Sequence, residues 1–235
     1  MKSFIVLRKE FKRLNRSIIF FLGIILISIV PIILDGFVLK YNLQNSKYAA
    51  IQYFNESFLF GMYLIPLIIF VIYYYDKKSD ILKIIYTNPI SPFQYSVGKF
   101  LTAICFYLQC TLIGSIITII FPIFYGKSIY SICTFLIVFL LFSLPLIIFF
   151  IALSNLVNII FKQSIISIII PLFIFFVLAK FPLFSSISRL NFSTDFINGN
   201  YKFVKTLILT DAIYISIAIL CIIISTIIYC HQNNH

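Results

Sequence analysis

Charge is scarce in this chain, and acidic charge most of all. Of 235 residues only seven are Asp or Glu, against eighteen Lys or Arg, and apolar residues make up 62%. A soluble domain of this size has no interior large enough for that much apolar surface. Histidine is nearly missing too, with His231 and His235 alone, both in a polar tail. That excludes a Ser-His-Asp constellation and a His-Glu-x-x-His zinc site. A metal held by Cys230, His231 and His235 would need a rigid frame, which a chain end does not supply. No Gly-x-Ser-x-Gly elbow occurs. Gly126-Lys127-Ser128 resembles the end of a phosphate-binding loop, but Phe121 stands where that motif needs glycine; Gly98-Lys99 fails likewise, between Phe93 and Phe100. The chain therefore has no catalytic device of these kinds, no nucleotide-phosphate loop and no cofactor motif. The five cysteines, at 105, 110, 133, 221 and 230, form no Cys-x-x-Cys and read as small buried hydrophobes.

What is present is hydrocarbon in long runs. A bilayer core about 30 Å thick needs about 20 apolar residues per helix. Continuous runs of that kind predict an all-α polytopic membrane protein and not a β-barrel, whose strands would show short alternating segments. Six spans are expected, at about Ser17–Leu34, Ser57–Tyr75, Val97–Phe121, Tyr130–Val157, Ser164–Ala179 and Leu207–Tyr229. Together they make a transmembrane domain over 17–229, followed by a tail at 230–235. Pro66, Pro145 and Pro171 fall inside spans, which neighbouring helices or water tolerate by satisfying the freed carbonyl.

Ahead of the first span, residues 1–16 place Phe4, Leu7, Phe11 and Leu14 at helical spacing, among Lys2, Arg8, Lys9, Glu10, Lys12, Arg13 and Arg16. This predicts a basic amphipathic helix lying in the lipid headgroup layer. No small-residue cleavage site follows it, so it reads as an uncleaved anchor and not as a signal peptide. With this end cytoplasmic, the inner segments hold eleven Lys and Arg and the outer segments seven. The rule that positive charge stays inside then puts both termini in the cytoplasm. The net charge of +11 lies at these membrane edges and not in one patch, which argues against a nucleic-acid partner.

Two polar breaks stand out. Residues 180–206 form an outer segment unusually rich in Phe and Leu. Residues 76–99 form the longest inner break. There Ile81, Leu82, Ile84 and Ile85 cluster beside Asp80 and Lys83 as a short amphipathic stretch. Asn88-Pro89-Ile90-Ser91-Pro92 then stops any helix, because each proline lacks an N–H and forces its predecessor extended. A helix restarts after Pro92, with Gly98 and Lys99 at the mouth of the next apolar run. The segment is either an ordinary solvated loop or a stiff handle for something outside the membrane. Asp35, Glu56 and Asp211 fall near the expected outer ends of spans, where capping and solvation account for them. None is expected at mid-depth, where ion-coupled transporters place a carboxylate. Tyr73-Tyr74-Tyr75 reads as an interfacial belt.

Taken in order, these features resemble the permease subunits of type-2 ABC exporters. Ile5-Val6-Leu7-Arg8-Lys9-Glu10-Phe11 resembles that family's elbow helix with its Lys-Glu pair. Asp80-Ile81-Leu82 through Thr87-Asn88-Pro89-Ile90-Ser91, then Tyr95 and Gly98-Lys99, resembles its cytoplasmic coupling segment, although Asp76-Lys77-Lys78-Ser79-Asp80 carries neither the usual glycine nor a glutamate. The resemblance implies half of a membrane pore in the plasma membrane. It would pair with a second permease chain, identical or not, and bind separate ATP-binding cassette subunits. The coupling loop would be 76–97, with Asp80, Ile84, Asn88, Pro89, Ile90, Ser91, Phe93, Tyr95 and Lys99 carrying it. The elbow residues would be Phe4, Leu7, Lys9, Glu10, Phe11 and Leu14, set against membrane lipid. Cargo would be hydrophobic or amphipathic: a peptide, a lipid or a drug. A non-transport membrane protein with an immunity or structural binding role has the same composition and stays open beside this reading.

Overall fold

The computed structural model describes residues 2–34, 45–78, 91–161, 165–178, 195–200 and 204–233. Among the described residues the chain is all-helical, with no strand. We number the helices α1 (Lys2–Leu14), α2 (Ile18–Leu34), α3 (Ser46–Lys78), α4 (Pro92–Ile120), α5 (Ile132–Ile160), α6 (Ile166–Leu178) and α7 (Val204–Asn233). Among the described residues four segments are long and apolar enough to cross a membrane: Ser46–Tyr74, Phe93–Tyr125, Ile132–Ile160 and Val204–Tyr229. A fifth arises if α1 and α2, which meet at 78°, count as one broken span. Helix α6 is apolar but, with 13 residues, only about 20 Å long at 1.5 Å per residue.

The bundle is built on α3 and α4. Both pack on α2 and on α5; α6 lies against α3 and α5, and α7 runs along α5. Where α2, α3 and α4 meet, small residues let the backbones close in, as membrane helix packing requires. At Gly114 any larger side chain would strike the Tyr53 hydroxyl. Side-chain hydroxyls then tie the three helices together. Ser57 donates to the Ile27 carbonyl at 2.8 Å, Ser28 to the Cys110 carbonyl at 2.5 Å, and Tyr53 to the Thr111 carbonyl at 2.9 Å. Two of these bonds fall on the π-helical turn Ile24–Ile29 of α2. A π turn leaves the regular hydrogen-bond ladder, and the neighbouring helices supply partners there.

Helix starts follow local chemistry. Ser91 caps α4: its hydroxyl accepts from the Gln94 N–H at 3.3 Å, the Gln94 side chain accepts from the Ser91 N–H at 3.3 Å, and Pro92 fills the first helical position. At its other end α4 tightens into a 3₁₀ turn, Phe121–Tyr125, which Gly126 ends in the left-handed region at φ 67°. Gly126-Lys127-Ser128 is thus an exposed helix stop.

Three expectations need correction. Helix α3 starts at Ser46, well before the expected boundary at Ser57, so Glu56 lies within the helix and not at its start. Asp211 is buried within α7 and is not solvated. Tyr73 is buried, whereas its neighbour Tyr74 is exposed, so only one of the two can serve a belt.

Candidate functional site

Helix α1 sets the site. The sequence pattern expects Phe4, Leu7, Phe11 and Leu14 on its inner stripe. The buried face is instead Val6, Glu10 and Leu14, four residues apart. Leu7 and Phe11 are half-buried at the edge of that face, and the Phe4 side chain lies outside the described residues. Ile5, Arg8, Lys9 and Lys12 face outward. Lys9 and Glu10, adjacent in sequence, therefore point in different directions, and only Glu10 turns into the protein.

What lies beneath is the start of α4. A methyl group placed on Gly98 would sit 2.8 Å from Val6 Cβ and 2.9 Å from the Ser3 carbonyl oxygen. Glycine at 98 is what lets α1 and α4 touch backbone to backbone. One residue on, Lys99 is 1% exposed in the core of the contact. Its Nζ lies 3.2 Å from Glu10 Oε1 and donates to the Ile72 carbonyl at 2.7 Å. It also stands over the rings of Tyr95, at 5.0 Å, and Tyr73, at 5.4 Å. Arg13 closes the cluster. It pairs with the other Glu10 oxygen across one helical turn and donates to the same Ile72 carbonyl at 3.0 Å.

The arrangement is electrostatically coherent. Glu10 is a buried anion between two cations. Two cations converge on the Ile72 carbonyl of α3, one from Lys99 and one from Arg13. A buried ion pair withstands its desolvation only when the remaining polar atoms also find partners. For the Lys99 ammonium the Ile72 carbonyl and the faces of Tyr73 and Tyr95 supply them, whereas Arg13 Nε is buried with no hydrogen bond.

The cluster continues outward. The Tyr73 hydroxyl donates to Asn155 Oδ1 of α5 at 2.8 Å, and Asn155 Nδ2 reaches Ser225 Oγ of α7 at 3.4 Å. Tyr95 stacks on Tyr229 of α7, with ring centres 5.3 Å apart and planes 20° apart. One connected polar and aromatic network thus links α1, α3, α4, α5 and α7.

Of the residues expected to carry coupling, Asp80, Ile84, Asn88, Pro89 and Ile90 lie outside the described residues. Ser91 is the helix cap and is exposed, Phe93 is 56% exposed, and Tyr95 and Lys99 are buried in the network. Gly98-Lys99 and Glu10, distant in sequence, come together as one unit. Sequence reasoning missed Arg13, Tyr73, Asn155, Ser225 and Tyr229 as members. The signals were present: Glu10 and Arg13 stand three apart on a helix, and Asn155 interrupts an apolar run.

A family model described as "ABC-2 family transporter protein" matches residues 6–180. That stretch runs from within α1 through α6 and includes every residue of the Glu10–Lys99–Ile72 contact. No curated protein and no solved structure matches the chain.

Proposed function

The chain belongs to the ABC-2 transporter family, and from that premise we propose that it is the permease subunit of an exporter driven by a separate ATP-binding cassette subunit. The four long helices, joined by α2 and α6 as the remaining two, make a six-span subunit with both ends in the cytoplasm. A second permease chain completes the pore. The cargo is hydrophobic or amphipathic.

One observation carries the reading. Lys99 lies two turns into the helix that leaves segment 79–90, and it bonds Ile72 on the helix that enters it; Glu10 and Arg13 join this pair to α1. A force on 79–90 from a cytoplasmic partner has a short covalent path to both helices. It also has a buried polar network through which to reach α5 and α7. By sequence, the two prolines of Asn88-Pro89-Ile90-Ser91-Pro92 restrict their own backbone and that of the residues before them, and to that restriction we assign the stiffness of the handle. Pro89, Ile90 and Phe93 are the contacts we assign to the ATPase. ATP binding then shifts the permease between conformations by making different contacts in each.

The test is co-expression of this chain with the ATP-binding cassette proteins of its source genome, co-purification in detergent, and ATP-dependent transport in vesicles. Wild type should retain the ATPase. Pro89→Gly, Ile90→Gly and Ser91→Gly combined should lose transport with the spans intact. A wild-type chain that retains no ATPase, or a triple-glycine chain that transports normally, contradicts the reading.

A further inference from the structure

A cavity of about 280 Å³ lies on the other half of α3, between that helix, α5 and α6. Most of its wall is apolar, with Phe54, Phe58 and Phe175 among the lining. Yet Gln52, Asn55 and Glu56 all line it from α3. Their spacing of i, i+3 and i+4 puts all three on one helix face. Ser143 enters from α5, at the end of the π-helical turn Phe139–Ser143. It is 3% exposed, and its hydroxyl makes no hydrogen bond. Pro145, two residues on, has no N–H to return to that turn.

These observations constrain an occupant. Glu56 is half-buried where it lines this cavity, at the head of the apolar run that follows it along α3, and a carboxylate held against an apolar wall favours a cationic partner. The ion pairs of the described residues do not include it. An anion in the cavity would be repelled by Glu56. A plain hydrocarbon tail would strip water from Glu56, leave the buried Ser143 hydroxyl unpaired and return no hydrogen bond to either. An alkylammonium head meets both needs: it gives N–H donors to the Glu56 carboxylate and the Ser143 oxygen. The phenylalanine faces attract its charge, and the apolar wall takes the first carbons of its tail.

We propose that this cavity is a binding site for the ammonium head of a cationic amphiphile. As a statement about cargo this rests on the permease reading; as a statement about binding it stands alone.

The test uses the purified full chain in a neutral maltoside detergent, without any ATPase, and tritiated octylammonium as the probe. Saturable binding should be displaced by unlabelled octylammonium and not by octanol or octanoate. Glu56→Gln, which keeps size and removes charge, should weaken binding at least about tenfold. Ser143→Ala, a mild change that keeps the fold safe, should weaken octylammonium but leave octyltrimethylammonium unchanged, since the latter has no N–H to give. Displacement by phosphatidylethanolamine would assign a lipid head as the natural source, and its absence a free amine. Octanol competing as well as octylammonium, Glu56→Gln binding like wild type, or Ser143→Ala weakening both cations equally would overturn the site. Failure here with ATPase association intact leaves the permease reading standing. Binding here without ATPase association sinks that reading and keeps the site.

Discussion

Replacing Lys99 by methionine isolates the cluster's contribution to the fold. Methionine keeps most of the length and apolar bulk, so packing against Tyr73 and Tyr95 survives while the charge goes. Lys99 is fully enclosed, and its ammonium serves both Glu10 Oε1 at 3.2 Å and the Ile72 carbonyl at 2.7 Å. Removing one member of a buried pair typically costs about 3–5 kcal/mol. Arg13 still holds the second Glu10 oxygen, so we place Lys99→Met near the lower end, at about 3 kcal/mol. Glu10→Leu alone should cost a similar amount, since it strands Lys99. The double variant removes both buried charges, and Arg13, only partly buried, can swing to the surface. Its loss should therefore fall short of the sum of the singles by about 2 kcal/mol. The assay is a denaturant titration of the purified chain in mixed micelles, with all four members of the cycle measured together. Additive losses, or a Lys99→Met chain as stable as wild type, would refute the assignment of a coupled buried pair.

Two further predictions follow from the same contact and from the charge distribution. Gly98→Leu should push α1 off α4, because even a Cβ meets Val6 at 2.8 Å; overpacking of this kind costs about 1–3 kcal/mol, and α1 should become open to protease while α3 to α7 stay protected. Reporters that work only inside the cell should be active when fused at Asn233 and silent when inserted at Asn198, and an outside signal at Asn233 would break the six-span topology.

The long helices were legible because membrane physics writes them plainly: about 20 apolar residues in a row have one common use. The start of α4 was legible for a local reason, since Ser91, Pro92 and Gln94 form a cap from adjacent residues. The start of α3 was not. Residues 46–56 mix Lys47, Gln52, Asn55 and Glu56 with apolar neighbours, and hydropathy discards such a stretch. Only tertiary packing, with Ala49, Ala50, Tyr53 and Phe54 buried, shows that it continues the helix. The orientation of α1 was illegible for a related reason. Periodicity assumes that charge faces water, and Glu10 faces Lys99. Likewise Tyr73 and Tyr74 are the same residue type in adjacent positions, and only the fold decides that one finds Asn155 and the other stays exposed.

The central claim is that a cytoplasmic ATPase grips this permease at the segment between α3 and α4. It is tested most directly by photocrosslinking from a benzophenone amino acid placed at Ile90 and, as the control, at Phe124, which is 81% exposed at the opposite end of α4. With the ATP-binding cassette protein co-expressed, the account predicts an adduct of permease plus ATPase from position 90 and none from position 124. No adduct from position 90, or an equal adduct from position 124, would contradict it.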